Sequence, residues 1–324
     1  MYNSTQKHEF LNTIVNDNSY KAYQRVFGTI EDMEEKFGKD VCDMSVDEIL
    51  VVLDLKTGVR ITNTEQTMSL LRSYTNWCIQ NGKTTSENNF DKITASEIDR
   101  SRSFRAKYVK SPEEFEEMVK VVYNEGYDYN PGTEKAKELS VRLVYEGLED
   151  KEIVLLKKDD VDYEKKTIKS PLYDDVVYSV SDKILSLCEY CSEQEVVEFP
   201  SKQGVIRKER LCQNDYVLRQ RIGTLRGNPE DRAINASAVS RWVKDFCNSY
   251  VESTGNYRKI SVGKLRESRM LYNIHESGKG FEVYFNCKIR SDMKMRNPEL
   301  SERNIQDKMR VLGNSFKLFE ETFY

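Results

Sequence analysis

Apolar residues recur at helical spacing through the first hundred positions. In YKAYQRVFGTIEDMEEKFG, aromatic and aliphatic side chains repeat every three or four residues up to Gly38, which predicts an amphipathic helix with a glycine stop. Ser45 and Glu48 have capping-box spacing and predict the start of a second helix. TEQTMSLLRSYTNWCIQNG has the same period and predicts a third. No strand pattern interrupts them, so we expect an all-α N-terminal domain over residues 1–98.

The next segment, residues 99–110, lacks an apolar period and is rich in cations. This composition favours an interdomain linker, and an extended strand along a phosphate backbone is the alternative to a plain linker. The cations expected to contact phosphates there are Arg100, Arg102, Arg105 and Lys107.

Beyond the linker, Ser111, Pro112 and Glu114 predict a new helix start. KAKELSVRLVYEG predicts the next helix, and EIVLLKKDDVDYEKKTIKSPLYDDVVYSVS then changes to the period of short strands. The remainder is again helical in pattern. The fold class expected is therefore mainly α with a small antiparallel β-sheet, in which residues 111–324 form an α+β C-terminal domain.

Composition narrows the class of protein. The 324 residues are 32% charged with a mean hydropathy of −0.68, and no apolar run approaches the length of a membrane span. The start, MYNSTQKHEF, lacks the features of a secretory signal, so a cytoplasmic protein without a membrane partner is expected. Seven cysteines form no disulfide framework, and two histidines weigh against a histidine-based metal centre or a Ser-His-Asp triad.

Charge is unevenly distributed. The net charge of −4 conceals a last segment, residues 201–324, with 24 basic and 15 acidic side chains. Such a block is typical of a phosphate-neutralising surface, and a solvated face of uneven charge is the alternative. No glycine-rich loop of Walker or dinucleotide spacing occurs, so nucleotide hydrolysis has no support.

The order of these segments resembles a known family. The helical domain ends in a leucine, aromatic, tryptophan phrase followed by Asn89-Phe90, and a Glu-Gly-Leu phrase then opens the C-terminal domain. The residues that carry these phrases are Leu71, Tyr74, Trp77, Glu146, Gly147, Leu148, Glu149, Glu152, Leu155, Leu156, Asp160 and Val161. From about residue 19 to its end, the chain resembles the phage integrases, or tyrosine recombinases. The resemblance implies a core-binding-like N-terminal domain and an integrase-like C-terminal domain.

The resemblance also implies a catalytic set, which this chain retains in part. The family cleaves DNA with a tyrosine nucleophile, and two arginines, a lysine and two histidines or similar groups stabilise the transition state. The matching positions are Glu149 for the first arginine, Lys165, Lys166 or Lys169 for the lysine, Gly263 and Arg266 for His-x-x-Arg, Asn314 for the second histidine, and Tyr324 for the nucleophile. Losing three donors together predicts a protein that is not an enzyme and uses no cofactor or metal.

A recombinase-like fold without these catalytic groups predicts a protein that binds DNA and does not cleave it. We expect a sequence-specific double-stranded DNA-binding protein that represses prophage transcription and maintains lysogeny from the bacterial nucleoid. The first alternative function is an enzyme, an active recombinase with an atypical site. The second alternative is a module that binds an acidic protein instead of DNA. Operator DNA is the expected partner, with a regulatory protein or self-association as further alternatives.

Two helical faces are candidates for reading bases in a groove. Arg72 and Asn76 lie opposite the apolar side of LLRSYTNW, and Arg241 and Lys244 lie opposite a stripe of Ala238, Trp242 and Phe246 in ASAVSRWVKDF. Ordinary solvated faces are the alternative for both. Further cations expected on phosphates are Lys165, Lys169, Lys264, Arg266 and Arg269.

Overall fold

The protein is described here as a computed structural model. It has two compact units, Met1–Ala106 and Lys107–Tyr324. Within the described part of the chain, no helix is both long and apolar enough to cross a membrane. The structure describes residues 1–56, 61–123, 131–200, 206–222 and 233–324.

The first unit is helical wherever it is described. Tyr23, Phe27 and Ile30 of α2 are buried in the same core cluster as Leu71 and Tyr74 of α4, which confirms the apolar faces expected from the sequence. The helices of this unit are α1 Ser4–Leu11, α2 Asp17–Phe37, α3 Val46–Lys56, α4 Ile61–Gln80 and α5 Arg100–Lys107.

The predicted helix ends have the expected local geometry. Gly38 follows α2 with φ 65°, a left-handed conformation that glycine adopts without a Cβ penalty. The backbone N–H of Ser45 donates to Glu48 Oε2 at 2.8 Å, and the N–H of Glu48 donates to Ser45 Oγ at 3.3 Å. The capping box before α3 is therefore confirmed.

The segment read as an extended linker is instead the helix α5. Its Ser103, Phe104 and Ala106 are buried, and all of α5 except its last residue, Lys107, forms part of the first unit. Asp99 begins the helix by accepting hydrogen bonds from the N–H and hydroxyl of Ser101 at 3.0 and 2.5 Å. The boundary between the two units does fall within residues 99–110, but the segment is helical to Lys107, which the sequence did not show because one aromatic and one alanine are too few for a helical period.

The second unit combines helices with two small antiparallel sheets, as the fold class required. Strands β1, β2 and β3 form one sheet in that order, with Val161 opposite Ile168 and Ile168 opposite Tyr178. The strands are β1 Val161–Asp162, β2 Thr167–Lys169, β3 Val177–Ser179, β4 Val196–Pro200 and β5 Ile206–Arg210.

Two features of this unit differ from expectation. The EIVLL segment, read as the start of the strand region, lies mostly in a short helix, and the hairpin of β4 and β5 was not predicted. The helices of the unit are α6 Pro112–Val122, α7 Pro131–Tyr145, α8 Asp150–Leu155, α9 Asp182–Glu193, α10 Ala236–Thr254, α11 Val262–Glu276, α12 Phe281–Tyr284, α13 Arg290–Arg296 and α14 Glu302–Phe323. A π-helical turn, Phe285–Ile289, joins α12 to α13.

Helix α7 runs through the core of this unit. Its last two turns bury Val141, Leu143, Val144 and Tyr145 in succession, and they pack against α9, α10 and α11. Arg142, buried in the same stretch, pairs with Glu116 and Glu138, so these turns are buried on every side. The chain leaves it at Gly147, with φ 107°, and thereby places Glu149 directly before α8.

Candidate DNA-binding surface and arginine cluster

Helix α10 presents an exposed polar face, as the sequence predicted. Arg241 and Lys244 are exposed one turn apart, with Ser240 beside them. The buried stripe is centred on Val239 and Val243 and includes Phe246, as expected, whereas Ala238 and Trp242 are only partly buried. Side chains of this kind, on one face of a 19-residue helix, have the geometry needed to enter a major groove.

The second predicted reading face, on α4, has partners inside the protein. Arg72 donates to the carbonyl of Phe90 at 2.7 Å and pairs with Asp91 at 2.8 Å. The Asn76 side-chain oxygen accepts from Asn88 Nδ2 at 2.7 Å. Arg72 and Asn76 therefore hold the segment that follows α4. Either side chain would have to give up these contacts before it could bind the edge of a base.

The cations of α5 differ in their surroundings. Arg102 is exposed but lies 3.4 Å from the Asp54 carboxylate, and Arg105, one turn further on, is exposed. Arg100 and Lys107 are half-buried. Phosphates could therefore meet Arg105 and Arg102 from a helix rather than from an extended strand.

The hairpin lysines lie at the turn between β1 and β2. Lys165 pairs with Asp162 and Lys166 with Asp182, both at 2.9 Å. Lys166 has φ 53°, so the backbone at this turn is left-handed. Lys169 is exposed at the end of β2.

Each predicted cation of α11 has an acidic partner. Lys264 pairs with Glu267 at 2.7 Å and also donates to the Tyr108 hydroxyl. Arg266 lies 3.4 Å from Glu149 Oε1. Arg269 lies 3.4 Å from Glu146, and its guanidinium is 5.5 Å from the centre of the Tyr145 ring. The structure thus confirms that Glu149 and Arg266 come together, and shows that the arginine is already paired with a carboxylate.

Next to Glu149 lies a buried carboxylate with a full set of donors. Glu152 has no exposed surface and accepts from the Ser170 hydroxyl at 2.6 Å, the Tyr178 hydroxyl at 2.8 Å and the Glu149 N–H at 2.8 Å. Burial raises the pKa of Tyr178 well above its usual value, so its hydroxyl stays neutral and donates. Arg296 Nη1 completes the set at 3.0 Å.

Arg296 is the main residue that sequence reasoning missed. It lies at the end of α13, donates to the Tyr178 hydroxyl, and pairs through Nε with Asp292 at 3.0 Å. Its Nη1 also lies 3.4 Å from Glu149 Oε1, so two arginines converge on one carboxylate oxygen. Arg296 lies between Arg266 and Asn314 and matches none of the positions that the resemblance supplied; no sequence signal identified it.

Tyr324 lies away from this cluster. Its ring stacks on His275 with 3.7 Å between centroids, and His275 Nδ1 lies 2.6 Å from Glu320. His275 is nine residues after Arg266 on α11, which places it two and a half turns away, on the opposite face and roughly 13 Å along the axis. Burial, with Tyr272 and nearby carboxylates, raises the pKa of Tyr324 to about 12.

The two remaining family positions bring no histidine-like group to the cluster. Gly263 is exposed in the first turn of α11, and Asn314 is exposed in the middle of α14. The neighbouring Gly313 is close-packed, since a Cβ there would meet Phe281 at 3.0 Å. The described hairpin of β4 and β5 adds three exposed cations that we did not predict, Arg207, Lys208 and Arg210.

Comparison with known proteins gives one family match. Residues 1–80 match a family model described as the MrpR N-terminal core-binding domain. Among curated proteins, none matches the chain.

Solved structures of recombinases and integrases show low-level similarity along nearly the whole chain. XerA recombinase has 10% sequence identity and a TM-score of 0.39, with 95% of this chain and 96% of that chain covered. The Tn1549 transposon integrase, in complex with circular intermediate DNA, has 12% identity and a TM-score of 0.36 over 94% and 98%. An integrase from mycobacterium phage Brujita has 15% identity and a TM-score of 0.31 over 99% and 96%.

Proposed function

We propose that the protein binds double-stranded DNA at specific operator sites without cleaving it, and that it acts as a prophage transcriptional repressor. The observation that carries the non-enzymatic part is the position of Tyr324. It stacks on His275, two and a half turns of α11 beyond Arg266, and Glu320 is bonded to that histidine. A nucleophile must lie beside the groups that stabilise its transition state, so this stacking supports a tyrosine that does not act as one.

The charges around the arginines support the same proposal. A transition state for phosphoryl transfer gathers negative charge, which arginines stabilise when they are available to it. In this chain Arg266 and Arg269 face Glu149 and Glu146, and Arg296 faces Glu149 and Glu152. The carboxylates already satisfy these cations and would repel a phosphate.

DNA binding is supported by surfaces away from that cluster. Arg241 and Lys244 are exposed on one face of α10, and Arg105 is exposed on α5. The description of the matched family names a core-binding domain. The chain as a whole looks similar to the integrase-like master repressor of SPβ-type prophages, which supports a role in lysogeny.

The first experiment finds the sites and then tests the reading residue. Genomic footprinting in the native host identifies bound sequences, and fluorescence anisotropy compares one of them with a single-base variant. Arg241→Ala is expected to lose about 1–3 kcal/mol on the correct site and to narrow the difference between the two duplexes. The control is Lys308→Ala, which removes an exposed cation from α14.

Two results would overturn the proposal. Equal affinity of the wild-type protein for matched and random duplexes would remove sequence specificity. A covalent protein–DNA adduct on a nicked suicide substrate, lost in Tyr324→Phe, would replace the repressor with the alternative, an active recombinase with an atypical site.

A further inference from the structure

Glu149 lies in a cradle of donors, which we call the arginine cradle and define as Arg266, Arg296 and Tyr173. Arg266 Nη1 and Arg296 Nη1 are each 3.4 Å from Glu149 Oε1. The Tyr173 hydroxyl donates to Glu149 Oε2, also at 3.4 Å. Two guanidinium groups and a hydroxyl around one oxyanion are the donors that recognise carboxylates and phosphates in proteins.

The carboxylate fits this cradle loosely. Charge-assisted hydrogen bonds are usually about 2.7–2.9 Å long, and all three contacts of Glu149 exceed that range. In the same cluster, Arg296 reaches Glu152 and Asp292 at 3.0 Å. Glu149 is therefore held less closely by the cradle than Glu152 and Asp292 are by Arg296.

The cradle is open to solvent on one side. The side chains of Glu149 and Arg266 are 29% and 32% exposed, whereas Glu152 is fully buried. The Glu149 backbone is held separately, because its N–H donates to Glu152 Oε2 at 2.8 Å. This backbone contact does not depend on Arg266 or Arg296, although the Glu149 side chain also belongs to the capping box of α8.

We propose that the arginine cradle is a latent site for a phosphate group and that the Glu149 carboxylate is its internal competitor. The site would bind either a phosphate of a DNA duplex or a free phosphate group. The duplex source rests on the proposed function, whereas the site itself does not. Glu149 lowers affinity for both by occupying Arg266 and Arg296 in the unbound protein.

The first arm of the test removes the competitor and measures duplex binding. Glu149→Gln keeps the size of the side chain and removes its charge. We expect it to bind random duplex about tenfold more tightly than wild type, with a salt dependence steeper by about one phosphate contact. Asp150→Asn removes the same charge one residue later and is expected to change affinity less than twofold.

The second arm tests whether the tighter duplex binding of Glu149→Gln depends on Arg266. Arg266→Gln added to Glu149→Gln is expected to abolish the tighter binding, because the phosphate would lose one of its two guanidinium partners. A gain that survives in the double variant would mean that lower net charge, rather than the cradle, tightened binding, and would overturn the proposal.

The third arm uses inorganic phosphate alone and measures the melting temperature. Phosphate at millimolar concentration is expected to raise the melting temperature of Glu149→Gln and to leave Asp150→Asn unchanged. This response without tighter duplex binding supports the site and assigns it a free phosphate ligand, whereas tighter duplex binding lost with Arg266 assigns it to DNA. If Glu149→Gln shows neither of these two responses, the proposal is overturned.

Folding and DNA binding are controlled separately. If Glu149→Gln does not fold, Glu149→Ser repeats all three arms, since serine is a favourable residue before a helix. Wild-type protein that binds no duplex would contradict the proposed function, and the phosphate arm would still test the cradle.

Discussion

Each unit of the molecule contains a buried network of charges, and the two networks end differently. In the first unit, Lys7 and Glu34 form an ion pair with no exposed side-chain surface. Glu34 also accepts from the N–H of Val41 at 3.0 Å, and the Tyr74 hydroxyl donates to Asp40 at 3.0 Å. Every group of this network is enclosed.

The network of the second unit begins in the core and reaches the surface. Glu152 is fully buried, Arg296 is 15% exposed, and the chain of contacts continues to Glu149 and Arg266, each about one third exposed. The ion pair of Lys7 and Glu34 has no exposed surface, so it serves the fold. A network with an accessible end can exchange one anion for another. This difference is why we place the latent phosphate site in the second unit.

Removing the lysine of the enclosed network should have the largest effect. Lys7→Met leaves the carboxylates of Glu34 and Asp40 buried near each other, and we expect it to reduce the free energy of unfolding of the first unit by about 3–5 kcal/mol. Urea denaturation followed through Trp77 fluorescence in a Trp242→Phe background measures it.

A second substitution should recover part of this loss. Adding Glu34→Gln removes the orphaned charge and keeps an acceptor for the Val41 N–H. A loss below 1 kcal/mol in Lys7→Met alone would mean that the enclosed network does not hold the fold.

Arg296→Met tests the buried end of the open network and should have the next largest effect. It leaves Glu152 without its cation, but the donors from Ser170 and Tyr178 remain. We expect a loss of about 3 kcal/mol from the free energy of unfolding of the second unit, the lower end for breaking a buried pair. Urea denaturation followed through Trp242 fluorescence in a Trp77→Phe background checks this.

The matched control lies on the same helix. Arg290 pairs with Glu302 where both are exposed, so Arg290→Met should cost less than about 1 kcal/mol. Equal losses from the two substitutions would argue against a special role for Arg296.

Arg72→Met extends the comparison to a cation at the surface of the first unit. It removes a charged hydrogen bond to the carbonyl of Phe90, a residue whose side chain is fully buried. We expect a loss of about 1–2 kcal/mol in unfolding free energy, and a smaller one for Lys92→Met, which breaks an exposed pair with Glu87. Unchanged stability together with lost operator discrimination would restore Arg72 as a base-reading residue.

Tyr324→Phe should have the smallest effect. Tyr324 belongs to neither network, and phenylalanine retains the ring that stacks on His275. We expect duplex affinity to change less than twofold and repression of a reporter gene to be unchanged. A large loss of repression with normal folding would connect the hydroxyl to function and contradict the non-enzymatic proposal.

Much of the local structure could be predicted because it depends on neighbouring residues. The apolar period of α2 and the capping box before α3 involve residues a few positions apart, and the structure confirms them. The exposed positions of α10 were predicted correctly, but of the predicted buried stripe only Phe246 is fully buried. The helix α5 was missed because its eight residues derive order from the unit around them, through Phe104, rather than from a period of their own.

The candidate site was predictable only where a family phrase marked it. Glu149 and Arg266 were identified from such phrases, and they lie in contact. No motif identifies Arg296, since it lies 144 positions after Glu152 and no local sequence pattern relates the two residues. The exposed side chains of α10 could be placed on one face from spacing alone, whereas the internal partners of Arg72 and Asn76 could not.

The sequence by itself therefore determined the helical character of both units and the small antiparallel sheet. These properties follow from residue type and short-range period. Only the tertiary structure decided which charges neutralise one another, because a guanidinium finds its carboxylate by proximity in space. It placed Arg296 on Glu152 and stacked Tyr324 on His275, and no spacing along the chain contains either fact.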